Sequence, residues 1–274
     1  MIFMEIWNPM STVFAEVYEN TVRVWRLTLY EKRAKNSESK IGNLWEILNP
    51  ILNILVYWFV FSVGLRTSAP HNAAYPYVTW LVCGLMPWMT ISNAMSQSTI
   101  CYLSAPSIIT TCNVPLSLFP LKNVMHAMIN HLFTLAVMLL MVFLYGIAPT
   151  WYMLEIVYYT AAMALFLFGF ALVTSTISVF FNDIQKLLPP TLRLLMYASC
   201  VVLDISAFPA EVQQILRLNP LVHLVEGFRI CMLDGKGILT VPESFCSFWI
   251  VTIGLLVAGS VMHVRLRERF IDAL

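Results

Sequence analysis

Charge is what this sequence has least of. Asp, Glu, Lys and Arg make up 11% of its 274 residues, against roughly 25% in an average soluble domain. A soluble chain of this length would bury a sizeable core, yet it would need far more charge to cover its outside. The composition therefore excludes an ordinary soluble enzyme or binding module. Hydrophobic residues reach 59% and mean hydropathy is +0.76. The net charge of +1 gives no global field to draw nucleic acid or an acidic partner.

Chemistry-bearing patterns are also missing. The six cysteines, Cys83, Cys101, Cys112, Cys200, Cys231 and Cys246, form no CxxC pair. Most lie in or beside apolar runs, where a free Cys behaves as a small hydrophobe. His71, His126, His131, His223 and His263 have no metal-ligand spacing. His126 and Asn130 stand four apart, which suits an interhelical hydrogen bond better than a proton relay. The one Gly-Lys pair is Gly235-Lys236, and a phosphate-binding loop would need Gly at 230 and Ser or Thr at 237. Those positions hold Ile230 and Gly237, which excludes ATP binding of that kind. Glu155, Asp183 and Asp204 lie near the ends of apolar segments, so no buried carboxylate marks an ion-coupled engine. Nor is there a cluster of Asp, Glu or His at a membrane face for an embedded glycan-modifying enzyme. The chain reads as no enzyme, with no cofactor of its own, and energy for any transport has to come from a partner.

What is present is a series of apolar segments, each near the roughly 20 residues that cross a bilayer in helix. Six are read: Leu48–Gly64, Val78–Ile100, Val124–Ile147, Met153–Phe180, Pro190–Phe208 and Phe245–Val264. None shows the ten-residue alternation of a membrane barrel. The first apolar run comes late and no cleavable leader precedes it, which predicts a cytoplasmic N-terminus. Twelve of the 16 basic residues then fall on the cytoplasmic side and Arg66, Arg217, Arg229 and Lys236 outside. That bias predicts a multi-pass protein of the cytoplasmic (inner, or plasma) membrane with both termini inside. The fold expected is all-α and integral to the membrane: one domain over 1–274, with an interfacial segment 1–47, a six-span core 48–264 and a cytoplasmic tail 265–274.

Three further segments carry the functional reading. Ahead of the first span, Phe14, Val17, Tyr18, Val22, Trp25 and Leu29 fall on one helical face, and Glu16, Glu19, Asn20, Arg23 and Arg26 on the other. This predicts an amphipathic helix in the inner membrane interface; a helix packed on a soluble partner is the alternative. After the second span, Pro106, Pro115 and Pro120 break a weakly charged loop into short pieces, which reads equally as a docking element and as a connector. Between the fifth and sixth spans, Ala210–Leu218 and Leu221–Leu233 have helical periodicity around Asn219-Pro220. They predict two short re-entrant helices dipping into the outer leaflet, and such pieces need protein or water around them.

Four stretches in order resemble the permease subunit of type-2 ABC exporters that move lipid-linked polysaccharides, including teichoic acid and O-antigen exporters. The first holds Lys32, Lys35, Ser39, Ile41-Gly42, Trp45 and Asn49-Pro50. The second runs from Val114-Pro115 through Leu118-Phe119-Pro120-Leu121. The third is Asn182-Asp183-Ile184-Gln185, and the fourth is Ile215 to Leu221 followed by Glu226-Gly227-Phe228-Arg229. The likeness covers nearly the whole chain. Asn182 departs from the family's usual Arg, Tyr197–Cys200 and Asp204–Ser206 stand where Ser-Pro-Ile is common, and Thr110–Asn113 lacks the usual basic residues.

The resemblance implies a homodimer of permeases bound to two ATPase chains, which carry ATP and Mg. It implies ATPase coupling through the N-terminal helix (Glu16, Glu19, Arg23) and the loop after the second span (Ile108, Ile109, Thr110, Pro115). It implies an outer gate in the re-entrant pair, at Asn219, Pro220, Glu226 and Arg229, and a conduit between the first and fifth spans. Aromatic Tyr57, Trp58, Phe59 and Phe61 suit channel lining, because ring faces stack on sugar C–H surfaces without a fixed hydrogen-bond pattern; facing lipid is the plainer alternative. Lys32, Arg33, Lys35 and Lys40 suit an undecaprenyl pyrophosphate head group at the inner entry, and topogenic anchoring explains them equally. The expected function is ATP-driven export of a lipid-linked cell-envelope polysaccharide of the wall teichoic acid or O-antigen type. A type-2 permease for a drug or another lipid is the nearest alternative, and a structural membrane scaffold is disfavoured by the re-entrant segment.

Overall fold

A computed structural model describes residues 2–37, 44–64, 75–104, 109 and 114–270. Among them the regular structure is helical throughout. The helices are α1 (Ile2–Ser37), α2 (Leu44–Trp58, continued by a wide turn Phe59–Gly64), α3 (Tyr77–Ile100), α4 (Leu118–Leu144), α5 (Glu155–Phe180), α6 (Ile184–Ala198), α7 (Ala210–Arg217), α8 (Pro220–Arg229) and α9 (Pro242–Leu266). Three helical stretches, Leu118–Leu144, Trp151–Phe180 and Pro242–Arg269, are long and apolar enough to cross a membrane, and Leu48–Phe61 is a shorter apolar helix.

Helix α3 forms the centre. It buries residues on nearly all sides over its first half, from Tyr77 to Trp88, against α4, α5 and α8. The tightest partnership is α5 with α9. A Cβ on Gly259 would come 2.7 Å from Leu172 Cβ and 3.2 Å from the Gly169 carbonyl. Without a water-driven hydrophobic effect between helices in lipid, such close backbone approach is a main source of packing energy.

The second, fourth and sixth expected spans lie within two or three residues of α3, of α5 with its leading turn at Trp151–Leu154, and of α9. The first and third begin earlier, at Leu44 and Leu118. The fifth requires a correction. It was expected over Pro190–Phe208, but α6 runs from Ile184 to Ala198 with Pro189 and Pro190 inside it. A proline removes the N–H that would pair with the carbonyl four residues back. Here those carbonyls belong to Gln185 and Lys186, near the polar start of the helix, and Lys186 is exposed. The prolines therefore mark no helix start.

The N-terminal helix also differs from expectation. It packs on α4 and α9 through Val13, Asn20, Val24 and Thr28, while Tyr18, Val22 and Trp25 stand exposed. Its apolar residues thus divide between an inward and an outward stripe. Asn20, assigned to the polar face, is buried because its amide donates to the Glu16 carbonyl in its own helix. Thr28 is accommodated the same way, on Val24.

Candidate functional site

The C-terminal end of α6 is a polar node. A helix leaves its last carbonyls without intrahelical partners. In α6 those of Leu195, Met196 and Tyr197 accept the N–H groups of Ser199, Val201 and Cys200. The chain then turns at Cys200, whose φ is +55°, with residues 199–202 fully buried. Every carbonyl there must find a donor, and side chains from other elements supply them. Asn219 Nδ2 donates to Ala198 O at 3.1 Å. Tyr77 donates to Val202 O at 2.8 Å. Arg229 donates to Cys200 O at 2.7 Å and Val201 O at 2.6 Å.

Arg229 is 2% exposed. Its Nε reaches the Trp80 carbonyl at 3.2 Å, its guanidinium lies 3.5 Å above the Trp80 ring, and Glu226 accepts from it at 2.5 Å. Gly84 makes room, since a Cβ there would collide with the guanidinium. Asn219 also accepts the Leu221 N–H and so caps α8, with Pro220 as its first residue. Burial pushes the Glu226 carboxyl up, and Arg229 draws it part of the way back. Tyr75, before α3, donates to Asp234 at 3.0 Å; burial first and that carboxylate second push its hydroxyl pKa up. The four residues expected at the outer gate are thus brought together, except that Pro220 only starts the helix.

At the opposite end a second node joins three elements. Ser117 Oγ donates to Glu16 Oε2 at 2.6 Å and Arg267 Nη1 to Glu16 Oε1 at 3.0 Å. Tyr102 donates to Leu116 O at 3.2 Å and lies 3.1 Å from His263 Nδ1. Phe270, fully buried, sits against Tyr102 with ring centroids 5.2 Å apart. Ile109 is buried in this cluster, while Pro115 is half-buried. Glu19 and Arg23 are exposed, Arg23 donating to Asn20 at 3.1 Å. Ile108 and Thr110 lie outside the described residues. Lys32 bonds Asn130 at 3.0 Å and overlies the Phe133 ring; Asn130 in turn is 3.3 Å from His126. Arg33 is exposed. The Lys35 side chain and all of Lys40 lie outside the described residues.

Between α2, α3 and α6 lies an open cleft with a volume of about 200 Å³, lined by Asn53, Tyr57, Trp88, Ser92 and Asn93 among others. Tyr57 donates to Met196 Sδ at 3.3 Å across it. The four expected lining aromatics part company here. Tyr57 faces the cleft, Trp58 and Phe59 are exposed, and Phe61 is 8% exposed in the core. Among the described residues no group of three or more His, Cys, Asp or Glu side chains could hold a metal ion.

Several residues of these nodes escaped the sequence reading: Tyr77, Tyr102, Ser117 and Arg267, together with the amides of the cleft. Each finds its partner far along the chain, so no local pattern announces it. The one available signal was Asn53 and Asn93, amides inside apolar segments.

Residues 23–233 match the family described as ABC-2 type transporter. An O-antigen export system permease protein RfbA of Klebsiella pneumoniae is 26% identical over 250 residues, covering 90% of this chain and 93% of the relative. The protein of the same name from Myxococcus xanthus is 26% identical over 97% of this chain and 100% of the relative. The polysialic acid transport protein KpsM of Escherichia coli is 25% identical over 78% and 82%.

Proposed function

This chain belongs to the ABC-2 type transporter family, and on that premise we propose that it is the membrane permease of an ATP-driven exporter of a cell-envelope polysaccharide. Its similarity to O-antigen export and polysialic acid transport proteins supports that cargo class. A lipid-linked polymer of the O-antigen or teichoic acid type is the finer reading. In it, α2, α3, α4, α5, α6 and α9 are the six spans, α7 and α8 the re-entrant pair, and both termini are cytoplasmic. Two copies pair with two ATPase chains, which bind and hydrolyse ATP with Mg²⁺. The exposed polar residues of α1 and the segment around Ile108–Pro115 face those ATPases. Arg33, with Lys32, Lys35 and Lys40, stands at the inner entry, and the Asn219–Arg229 node closes the outer side.

The observation that carries the reading is the cleft between α2, α3 and α6. Asn93 is exposed on a helix otherwise rich in buried apolar residues. Asn53 lines the same cleft but donates to the Asn49 carbonyl of its own helix at 2.8 Å, which leaves Asn93 as the deciding amide. An amide left facing hydrocarbon without a partner costs several kcal/mol, about 4–8 on transfer to an apolar solvent. This wall therefore suits water and hydroxyl-rich cargo better than lipid. Amides supply both donors and acceptors to sugar hydroxyls, and the Tyr57 ring offers a stacking face.

The test is ATP hydrolysis by the purified chain, alone and with its co-purifying ATPase, in lipid with and without undecaprenyl-linked glycan. The expected result is no hydrolysis alone and glycan-sensitive hydrolysis in the complex. Hydrolysis by the chain alone would overturn the permease reading. Hydrolysis in the complex that ignores glycan would move the cargo to a drug or another lipid.

A further inference from the structure

The carboxylate of Glu16 is turned into the protein. One oxygen accepts from Ser117, fully buried ahead of α4, and the other from Arg267, one residue beyond α9. Only 20% of the side chain remains exposed. Both oxygens are committed within the chain, so Glu16 is ill placed to hold a cation on another protein. It is instead the one described side chain that joins α1, the segment preceding α4 and the end of α9 by charged or hydroxyl donors. The end of α9 is fixed a second time, by His263 and Phe270 against Tyr102. From there α9 packs on α5 with the close approach at Gly169 and Gly259.

We propose that Glu16 is a positioning residue that makes α1, the start of α4 and the C-terminal end of α9 move as one body, so that a displacement imposed on α1 reaches the last membrane helix. The Arg267–Phe270 segment is thereby part of the transmission, a role separate from contact with the ATPase. The inference rests on the exporter reading above and extends it to residues 251 positions apart. Both bonds have an ionised partner and are therefore stronger than neutral ones. Breaking the bridge should let α1 move without carrying α9.

The experiment uses the full chain with its ATPase in proteoliposomes holding undecaprenyl-linked glycan, and reads ATP hydrolysed per glycan exported. Assembly with the ATPase and thermal midpoint are followed alongside, since a merely structural role would move only those. Glu16→Ala and Arg267→Ala should each assemble and hydrolyse ATP, yet raise the ATP used per glycan about tenfold, a shift of about 1.4 kcal/mol. The double variant should be no worse than either single one, and the swap Glu16→Arg with Arg267→Glu should restore most of the coupling. Unchanged ATP per glycan in both single variants would overturn the inference. So would a swap that restores assembly and thermal midpoint without restoring coupling, which would make the bridge a staple only. A wild-type complex that hydrolyses ATP and exports no glycan would instead sink the exporter reading on which the inference stands.

Discussion

Replacing Arg229 with Met should be among the most damaging single changes in this chain. The substitution keeps the volume and removes the donors. It strands the carbonyls of Trp80, Cys200 and Val201 and leaves Glu226 without its partner. An unsatisfied buried acceptor costs about 1–3 kcal/mol, and breaking a buried ion pair from one side costs about 3–5 kcal/mol. These losses share one guanidinium and do not add in full, so about 4 kcal/mol is the expected total. For a chain of this size that corresponds to a drop on the order of 10 °C in thermal midpoint. The assay is thermal unfolding in nanodiscs, read by tryptophan fluorescence. Arg229→Lys should recover only part of the loss, because one ammonium cannot match the planar fork that spans three carbonyls and stacks on Trp80. Adding Glu226→Gln to Arg229→Met should recover some stability by removing the stranded carboxylate. A midpoint for Arg229→Met within about 2 °C of wild type would refute the claim that this side chain pins the end of α6.

The same geometry makes other outcomes measurable. Gly84→Ala places a methyl on the guanidinium and should lower the midpoint by a substantial fraction of the Arg229→Met effect; no loss would mean the node adapts freely. In a Cys112→Ser background, Cys83, Cys101, Cys200 and Cys231 should react with maleimide only on unfolding, as their burial requires; labelling of any of the four in the folded protein would refute that packing. Phe61→Ala should cost about 3–5 kcal/mol of stability as a core truncation, whereas Phe59→Ala, 62% exposed, should leave the midpoint nearly unchanged. Tyr57→Ala should reduce glycan export while assembly with the ATPase persists, and unchanged export would remove Tyr57 from the conduit.

How much was legible in the sequence depended on the distance between partners. Helices such as α5 and α9 are marked by length and apolarity, which a reader of sequence can count. The node at the end of α6 was half legible. Asn219-Pro220 signals a helix cap by local chemistry, and Glu226 three residues before Arg229 is a readable pair. Burial of that pair beneath the end of α6 was not readable, because it depends on where α6 stops. That stop was obscured by Pro189-Pro190, which looks like a helix start and is in fact accommodated inside one. Glu16 shows the limit more sharply. Its helical position suggested a solvent-facing carboxylate, and its partners Ser117 and Arg267 are distant in sequence. Asn20 differs for another reason: its amide N–H bonds its own helix backbone and its oxygen accepts from Arg23, so a polar residue is satisfied locally and can be buried.

In the proposed exporter, the carbonyls of Ala198–Val202 constrain how the outer side would open. Donors for these carbonyls come from α3 through Tyr77, from the cap of α8 through Asn219, and from the end of α8 through Arg229. If α8 swung away by itself, Ala198, Cys200 and Val201 would lose their partners together, in a place where residues 199–202 have no access to water. At about 1–3 kcal/mol for each stranded acceptor, that loss is at least as large as the few kcal/mol over which a minor conformational state remains populated. An opening motion compatible with these bonds carries the end of α6 and α8 together and slides the pair against α3, where Tyr77 and the Trp80 carbonyl supply fewer of the bonds. Helix α6 also borders the amide-lined cleft, through Met196. On that reading the node and the cleft wall would move as one element, and a change that loosens the node should alter the cleft as well.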